Sequence, residues 1–478
     1  MTFNSLHFML FLPVVFILHW LLPHKWRWAL LLAASYYFYM SWNPWFGILL
    51  AGTTFIDWFV GLRIEAAQKL QQVKNNTARR WLLLSILSNL GCLAAFKYSA
   101  FVYNTFSWTA AAFSGKHPHY IEALIIPVGL SFYVFHSLSY TIDVYRGKIA
   151  AEKHPGIFAL FVSFFPQLVA GPIARFNQLG VQFHERKFLR SENLIIGGRL
   201  ALWGFFKKIA IADRLAEFVN PVFKHPENFD GLTLLIAGFF FVVQVYCDFS
   251  GYSDIATGVA KFFGYDLQLN WRRPLLSKSL HEFWSRNHIS MTSWFRDYLY
   301  IPLGGSKVKF PRWLLNLFLT FLISGLWHGA SWTFVVWGAM HGLVYIAEIL
   351  LRRKKIKFRL PGFFGWLYLI AFHTLSLIAF RANSFHDLGI FYSKIFSFRW
   401  SFSQSFLELR TLHDLFPLFI AVLMIVFLFL KELNEEKGWL NRLPAFGNWW
   451  RPVFYTLLFV LLFTIGEFSA NEFIYFRF

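Results

Sequence analysis

Long apolar runs recur from one end of the chain to the other, separated by short polar and basic stretches. Runs near 7–22, 27–41, 45–62, 81–101, 121–143 and 195–221 read as spans, as do runs near 232–265, 313–351, 363–382, 413–431 and 452–470. A hydrocarbon core about 30 Å thick offers no partner to a bare backbone N–H or C=O, so segments of this kind cross it as helices. The pattern therefore predicts an all-α polytopic membrane protein.

Three stretches do not parse as simple crossings. Residues 155–175 (PGIFALFVSFFPQLVAGPIAR) carry Pro166 and Gly171-Pro172, which predict a broken or re-entrant segment covered by protein or water. Residues 195–221 are interrupted by Lys207 and Lys208, expected to reach the interface from helix ends. Residues 313–351 would make a continuous helix of roughly 58 Å, about twice the core thickness, so this run must break. Its weak points, Ser324-Gly325 and Gly329-Ala330-Ser331, flank His328 and place that residue at a junction or kink.

Composition sharpens the class. Only 15% of the 478 residues are charged and 21% are aromatic, against about 25% charged in soluble domains. The net charge of +20 fits basic cytoplasmic loops, or a basic cytoplasmic mouth that draws in an anionic donor. It is spread over inter-helix loops, which argues against nucleic acid. Arg63, Lys69, Lys74, Arg79 and Arg80 mark one cytoplasmic loop, and Arg352, Arg353, Lys354, Lys355, Lys357 and Arg359 another. Three spans precede the first, which puts the N-terminus and segment 383–412 outside. The first run lacks a basic leader and a small-residue cleavage site and reads as a retained span. With no fixed-period repeat and no linker, one domain over 1–478 is expected, its core motifs at about 127–345 and further helices at 363–478.

The candidate chemistry lies between His281 and Gly342, where His288, His328 and His341 sit in or beside apolar segments. An ionisable group at such depth marks a pathway or a reaction centre, or else a core histidine bonded between helices. His328, in Leu326-Trp327-His328-Gly329, has the imidazole a general base needs, with Trp327 and Trp332 as possible walls. His288 lies in Trp284-Ser285-Arg286-Asn287-His288, which fits either a helix lining a wet cavity or an interfacial helix anchored by its tryptophans. His341, 13 residues past His328, would point to a different helix face and reads as structural or supporting. The polar cluster from Gln244 to Asp254 offers two carboxylates six apart; a Tyr, Ser and Asp network satisfying a broken helix is preferred over catalysis or cation binding.

Other chemistries are missing. The sequence has no GxSxG elbow, no phosphate-binding GxxxxGK[ST] loop and no HExxH helix. Cys92 and Cys247 sit in apolar surroundings and offer no disulfide framework; no metal site and no bound cofactor are expected.

The order QVYCDFSGYSDIA, LNWRRP, FWSRNHISMTSWFRDYLYIPLGG and LISGLWHGASW resembles the bacterial branch of the membrane-bound O-acyltransferase family. FFPQLVAGPIARF, WGFFKKIAIADRL, FRA and the terminal FIYFRF extend the resemblance over nearly the whole chain. It implies a ring of about 11–13 tilted and re-entrant helices around a funnel and tunnel in the inner membrane. It makes His328 the essential histidine and gives His288 the second functional position. Asn287, Arg296, Trp327 and Trp332 complete the expected substrate-binding set, with Arg272, Arg273 and Lys278 as candidates for donor phosphates. The branch that acetylates alginate implies acetyl-CoA as donor, a polysaccharide acceptor and a periplasmic SGNH-like partner enzyme. The related D-alanine exporter of teichoic acid modification would draw on an acylated carrier protein instead, and a non-catalytic transporter is the remaining alternative. The long segment after residue 383 favours acetylation.

Overall fold

The computed structural model describes residues 1–70, 76–115, 117–353, 362–412, 415–439, 450–467 and 473–474. The loop cations Lys74, Lys354, Lys355, Lys357 and Arg359, and all of FIYFRF but its first two residues, lie outside them. Among the described residues every regular element is helical. Seven helices are long and apolar enough to cross a membrane, and Leu6–Leu21 and Pro452–Ile465 are shorter apolar helices. The chain is an all-α polytopic membrane protein, and it divides into two compact units, 1–198 with 256–268 and 199–255 with 269–478.

The first unit contains α1 (Leu6–Leu21), α2 (His24–Met40), α3 (Pro44–Lys69), α4 (Asn76–Leu93), α5 (Ser99–Ser114), α6 (Leu130–Tyr145), α7 (Pro155–Ser163) and the start of α8 (Ser191–Phe205). Asp57, fully buried on α3, accepts from Ser85 Oγ at 2.6 Å and from Asn89 Nδ2 at 2.9 Å. A buried carboxylate with such donors is held by the fold itself. The expected break in 155–175 is present. The α7 helix stops at Ser163, and the chain then turns through Gln167, whose Nε2 donates to the Phe161 carbonyl at 2.9 Å. The expected span at 121–143 is shorter than its apolar run. Its helix starts only at Leu130, because Pro127 and the positive φ of Gly129 (76°) end the irregular segment before it.

The second unit holds α9 (Asp213–Lys224), most of α10 (Gly231–Phe262), α11 (Leu280–Arg286), α12 (Ile289–Phe295), α13 (Phe310–His328) and α14 (Trp332–Arg353). It continues with α15 (Gly362–Arg381), α16 (Phe385–Phe396), α17 (Phe402–Leu412), α18 (Leu415–Lys437) and α19 (Trp450–Ile465). The 313–351 run breaks at Gly329–Ser331, so α13 and α14 form an antiparallel hairpin with His328 as the last residue of its first arm. A Cβ on Gly325 would lie 2.3 Å from the Phe334 carbonyl, and one on Gly338 would lie 2.6 Å from that of Phe321. The two glycines let the arms meet backbone to backbone.

The polar cluster on α10 differs from expectation in one respect. The helix is not broken there; it runs 32 residues without interruption, with Asp248 and Asp254 paired at 2.7 Å with Lys208 and Lys207. Those lysines are 8% and 3% exposed and do not reach toward the interface. They sit in a π-helical turn between α8 and α9, which turns both ammonium groups inward toward carboxylates. The network reading of the cluster holds; its reason is ion pairing across helices.

Candidate active site

His288 occupies the link between α11 and α12. Ser279 caps α11 by accepting from the Glu282 N–H at 3.2 Å, and Glu348 on α14 accepts from the Leu280 N–H at 2.8 Å. The strand-like piece 270–272 runs beside the link, with Arg272 N–H donating to the Arg286 carbonyl at 2.9 Å and Ile289 N–H to that of Asn270 at 2.8 Å. Between these supports His288 is held at φ 44°, ψ 53°, a left-handed conformation that a side chain adopts only when its surroundings impose it.

The ring of His288 has a defined orientation. Asn270 Oδ1 accepts from the Ser290 N–H at 3.2 Å and from Ser290 Oγ at 2.8 Å, and it lies 3.2 Å from His288 Nδ1. A backbone N–H can only donate, so this amide atom is the oxygen, and Nδ1 must carry the proton it shares with it. His288 therefore presents Nε2 as a lone pair. Phe249 packs against its ring edge-on at 4.6 Å and Trp271 at 5.7 Å. Complete burial pushes the imidazole down to about 3, so it is neutral across the physiological range. Asn270→Leu removes the acceptor shared by three donors and is expected to lower stability by roughly 2–3 kcal/mol, read as a lower melting midpoint in detergent.

His328 ends α13 because Gly329 leaves helical geometry at once (φ −158°, ψ 148°). It is 5% exposed and lies among Trp327 (4.9 Å between ring centroids), Trp337 (5.1 Å) and Phe380 (5.4 Å). His288 and His328 line one narrow cavity of about 60 Å³, together with Asn287, Trp337, His341 and His373. The ring of Trp327 contacts both histidines, with centroids 6.3 Å from His288 and 4.9 Å from His328.

A second cavity, about 920 Å³, lies along the hairpin between α13, α14 and the α12 segment. Arg296, Arg352 and Arg353 stand at one end of its wall and Phe321 and Ser324 at the other, one helical turn or two from His328. Trp284 and Met291 line both cavities. A chamber of this size with an apolar body and a few charged groups has the character of a site for an organic ligand.

The predicted residues thus divide. His288, His328 and Asn287 meet at the small cavity, Trp327 packs against both histidines, and Arg296 borders the large one. Trp332 is 48% exposed and lines neither cavity. Arg272 and Arg273 line neither as well, and Arg273 is engaged by Glu436 at 2.9 Å and Glu435 at 3.6 Å. The large cavity is lined instead by Arg352 and Arg353, which the sequence marked only as loop charge. His341 reaches the cavity although its spacing pointed elsewhere, since the break at Gly329 removes the continuous helix on which that spacing depended. His373 was missed. Its signal, an ionisable residue in the apolar run 363–382, carries no motif around it.

The model of the membrane-bound O-acyltransferase family matches residues 31–385. A probable alginate O-acetylase of Pseudomonas putida is 36% identical over 495 aligned positions that cover 100% of both chains. A peptidoglycan O-acetyltransferase of Helicobacter pylori is 32% identical over 80% of this chain and 77% of its own. A teichoic acid D-alanyltransferase of Streptococcus thermophilus is 28% identical over 49% of this chain and 60% of its own. With a family match across both histidine segments and full-length relatives of this similarity, the chain belongs to the membrane-bound O-acyltransferase family and is an O-acyltransferase of the membrane.

Proposed function

We propose that the chain moves an acetyl group from acetyl-CoA on the cytoplasmic side to a hydroxyl of an extracytoplasmic polysaccharide, with His328 as general base and acid. The observation that carries this is the pair of adjoining chambers: a large one with an arginine rim, sharing the wall residues Trp284 and Met291 with a small one walled by His288 and His328. The rim belongs to the cytoplasmic side, because Arg352 and Arg353 end α14 beside Lys307, Lys309 and Arg312 at the start of α13. His328 ends a 19-residue arm, so it lies about 27 Å from that basic end, close to the opposite face. A donor entering at the rim and an acceptor arriving from outside would meet at the histidines.

In the transfer, His328 takes the proton of the acceptor hydroxyl as its oxygen attacks the thioester carbonyl. The new C–O bond forms, the C–S bond breaks, and the imidazolium returns its proton to the departing thiolate. His288, with its proton held by Asn270, offers Nε2 to position the thioester or to pass a proton. The surrounding Phe and Trp rings keep out the water that would hydrolyse the donor. The acceptor hydroxyl belongs either to the polymer or to a periplasmic SGNH-like enzyme that completes delivery. Two relatives that act on alginate and peptidoglycan support acetyl over D-alanyl transfer, since both cover far more of the chain than the D-alanyltransferase does.

Purified full-length protein given labelled acetyl-CoA should release free CoA in a His328-dependent manner. Reversing the rim with Arg352→Glu and Arg353→Glu is expected to raise KM for acetyl-CoA roughly tenfold while kcat stays within about twofold. The same change should leave KM for acetyl-pantetheine, which lacks the nucleotide phosphates, nearly unmoved. Passage of intact donor without thioester cleavage would instead establish a conduit.

A further inference from the structure

The small cavity holds two more imidazoles than the mechanism above uses. His341 on α14 and His373 on α15 are 1% and 3% exposed, and both line the wall shared by His288 and His328. His373 has a fixed tautomer: its Nδ1 lies 2.9 Å from the Leu369 carbonyl, one turn earlier, and a carbonyl can only accept. Nδ1 therefore carries the proton, and Nε2 is a lone pair. That nitrogen has no hydrogen-bond partner among the described residues. Neither ring nitrogen of His341 has one among them either, and its ring lies 5.5 Å from that of His373, tilted by 74°.

Buried ring nitrogens without partners are costly, so three in one place call for an explanation. Packing supplies part of one, because Trp337 (4.6 Å), Phe372 (4.9 Å) and Trp284 (5.3 Å) surround the His341 ring. Phenylalanine would satisfy those neighbours equally well and would strand nothing. A polar ring is retained where its polarity is used.

We propose that His341 and His373 are positioning residues for His328, a chain of imidazoles that passes a fixed tautomer from the Leu369 carbonyl to the base. The acceptor Nε2 of His373 takes a proton from His341, directly after a small ring rotation or through one water, for which about 60 Å³ leaves room. Donation by one nitrogen of His341 leaves its other nitrogen as an acceptor in the cavity that His328 also lines; Trp337 packs on both rings, so the link to His328 runs through a water in that cavity. When His328 takes the acceptor's proton, that water, oriented by the His341 lone pair, accepts from the imidazolium. The ring stays oriented and its transient charge is stabilised, the service a buried carboxylate performs behind a catalytic histidine elsewhere. Here neutral groups perform it, which suits an apolar slab where a permanent charge would be expensive.

The inference rests on His328 being the base, and the test separates the two. Full-length protein carrying His341→Phe or His373→Phe should keep its melting midpoint and its KM for acetyl-CoA within about twofold, and lose roughly ten- to a hundredfold in kcat. His373→Gln, whose amide can accept and donate, should recover most of that loss. In the unaltered protein, ¹⁵N spectra of labelled histidine should show the His373 resonance, identified by its disappearance in His373→Gln, as the Nδ1-protonated neutral form. Wild-type kcat in both phenylalanine variants, or glutamine no better than phenylalanine, reduces the pair to packing. Should the phenylalanine variants fail to accumulate, the ¹⁵N signal decides: a proton on Nε2 of His373 overturns the chain of tautomers. Activity surviving in His328→Gln overturns the base itself, whatever the other two do.

Discussion

His328→Ala is expected to fold, to reach the membrane and to lose acetyl transfer by about 10³-fold or more, measured as CoA released per enzyme from labelled acetyl-CoA. The size of the effect follows from where the residue sits. It terminates α13, so its loss interrupts no helical hydrogen bond, and the Gly329 N–H still reaches the Gly325 carbonyl at 3.3 Å. The glycine approach of Gly325 and Gly338 that joins the hairpin lies at least three residues away. Stability should thus fall by no more than the 1–3 kcal/mol of a partly filled core site, and the protein should remain extractable in folded form. The chemistry has no substitute: His288 already holds its Nδ1 proton against Asn270, and its ring packs on Trp327 and Phe249. His328→Gln tests the same point without a cavity, since it keeps volume and hydrogen bonding and removes only the ability to carry a proton reversibly. Equal inactivity of both variants at wild-type melting midpoint identifies proton transfer as what was lost. Retained turnover in either would remove the base from the mechanism.

How much of this was legible in the chain depends on the kind of signal. Segments that differ from their surroundings in composition were found: the apolar runs, the proline-broken piece after Pro155, and the break beside His328, because helix length against membrane thickness is a constraint that sequence alone imposes. His328 and His288 stand out in the chain because each lies in a distinctive motif, and the structure brings both to one cavity. What sequence misplaced was partner choice. Lys207 and Lys208 read as lysines reaching for the interface, because only the fold brings Asp213, Asp248 and Asp254 to them from 5 to 47 residues away. Arg273 read as a free cation, and its Glu435 and Glu436 partners are more than 160 residues downstream. The 13-residue spacing of His341 from His328 points it elsewhere only along a continuous helix, and the break at Gly329 removes that helix. His373 needed the cavity to be seen at all.

The largest effect on stability should come from Lys208, which no catalytic step uses. Its Nζ lies 2.7 Å from both Asp213 Oδ1 and Asp248 Oδ1, and those side chains are 3% and 1% exposed. Asp248 Oδ2 in turn accepts from the Ile474 N–H at 2.8 Å, which ties the chain's end to α10, while Phe473 packs at 5.6 Å from Phe249, the ring that bears on His288. Lys208→Met keeps the length of the side chain and deletes the charge, leaving two buried carboxylates facing each other. Breaking a buried pair from one side costs about 3–5 kcal/mol, more than the pair itself contributes, because the stranded charges stay desolvated. The expected result is a melting midpoint lowered by several degrees or failure to accumulate, with the backbone at Ile474 losing its bond to Asp248. The diagnostic step is the compensated protein. Lys208→Met with Asp213→Asn and Asp248→Asn removes the lysine and both of its carboxylate partners together, and most of the lost stability should return. Recovery in the triple variant assigns the damage to uncompensated charge. If instead the triple variant is no more stable than Lys208→Met alone, the lysine matters for how it packs, and the ion pairs are incidental to holding α8, α9, α10 and the chain's end together.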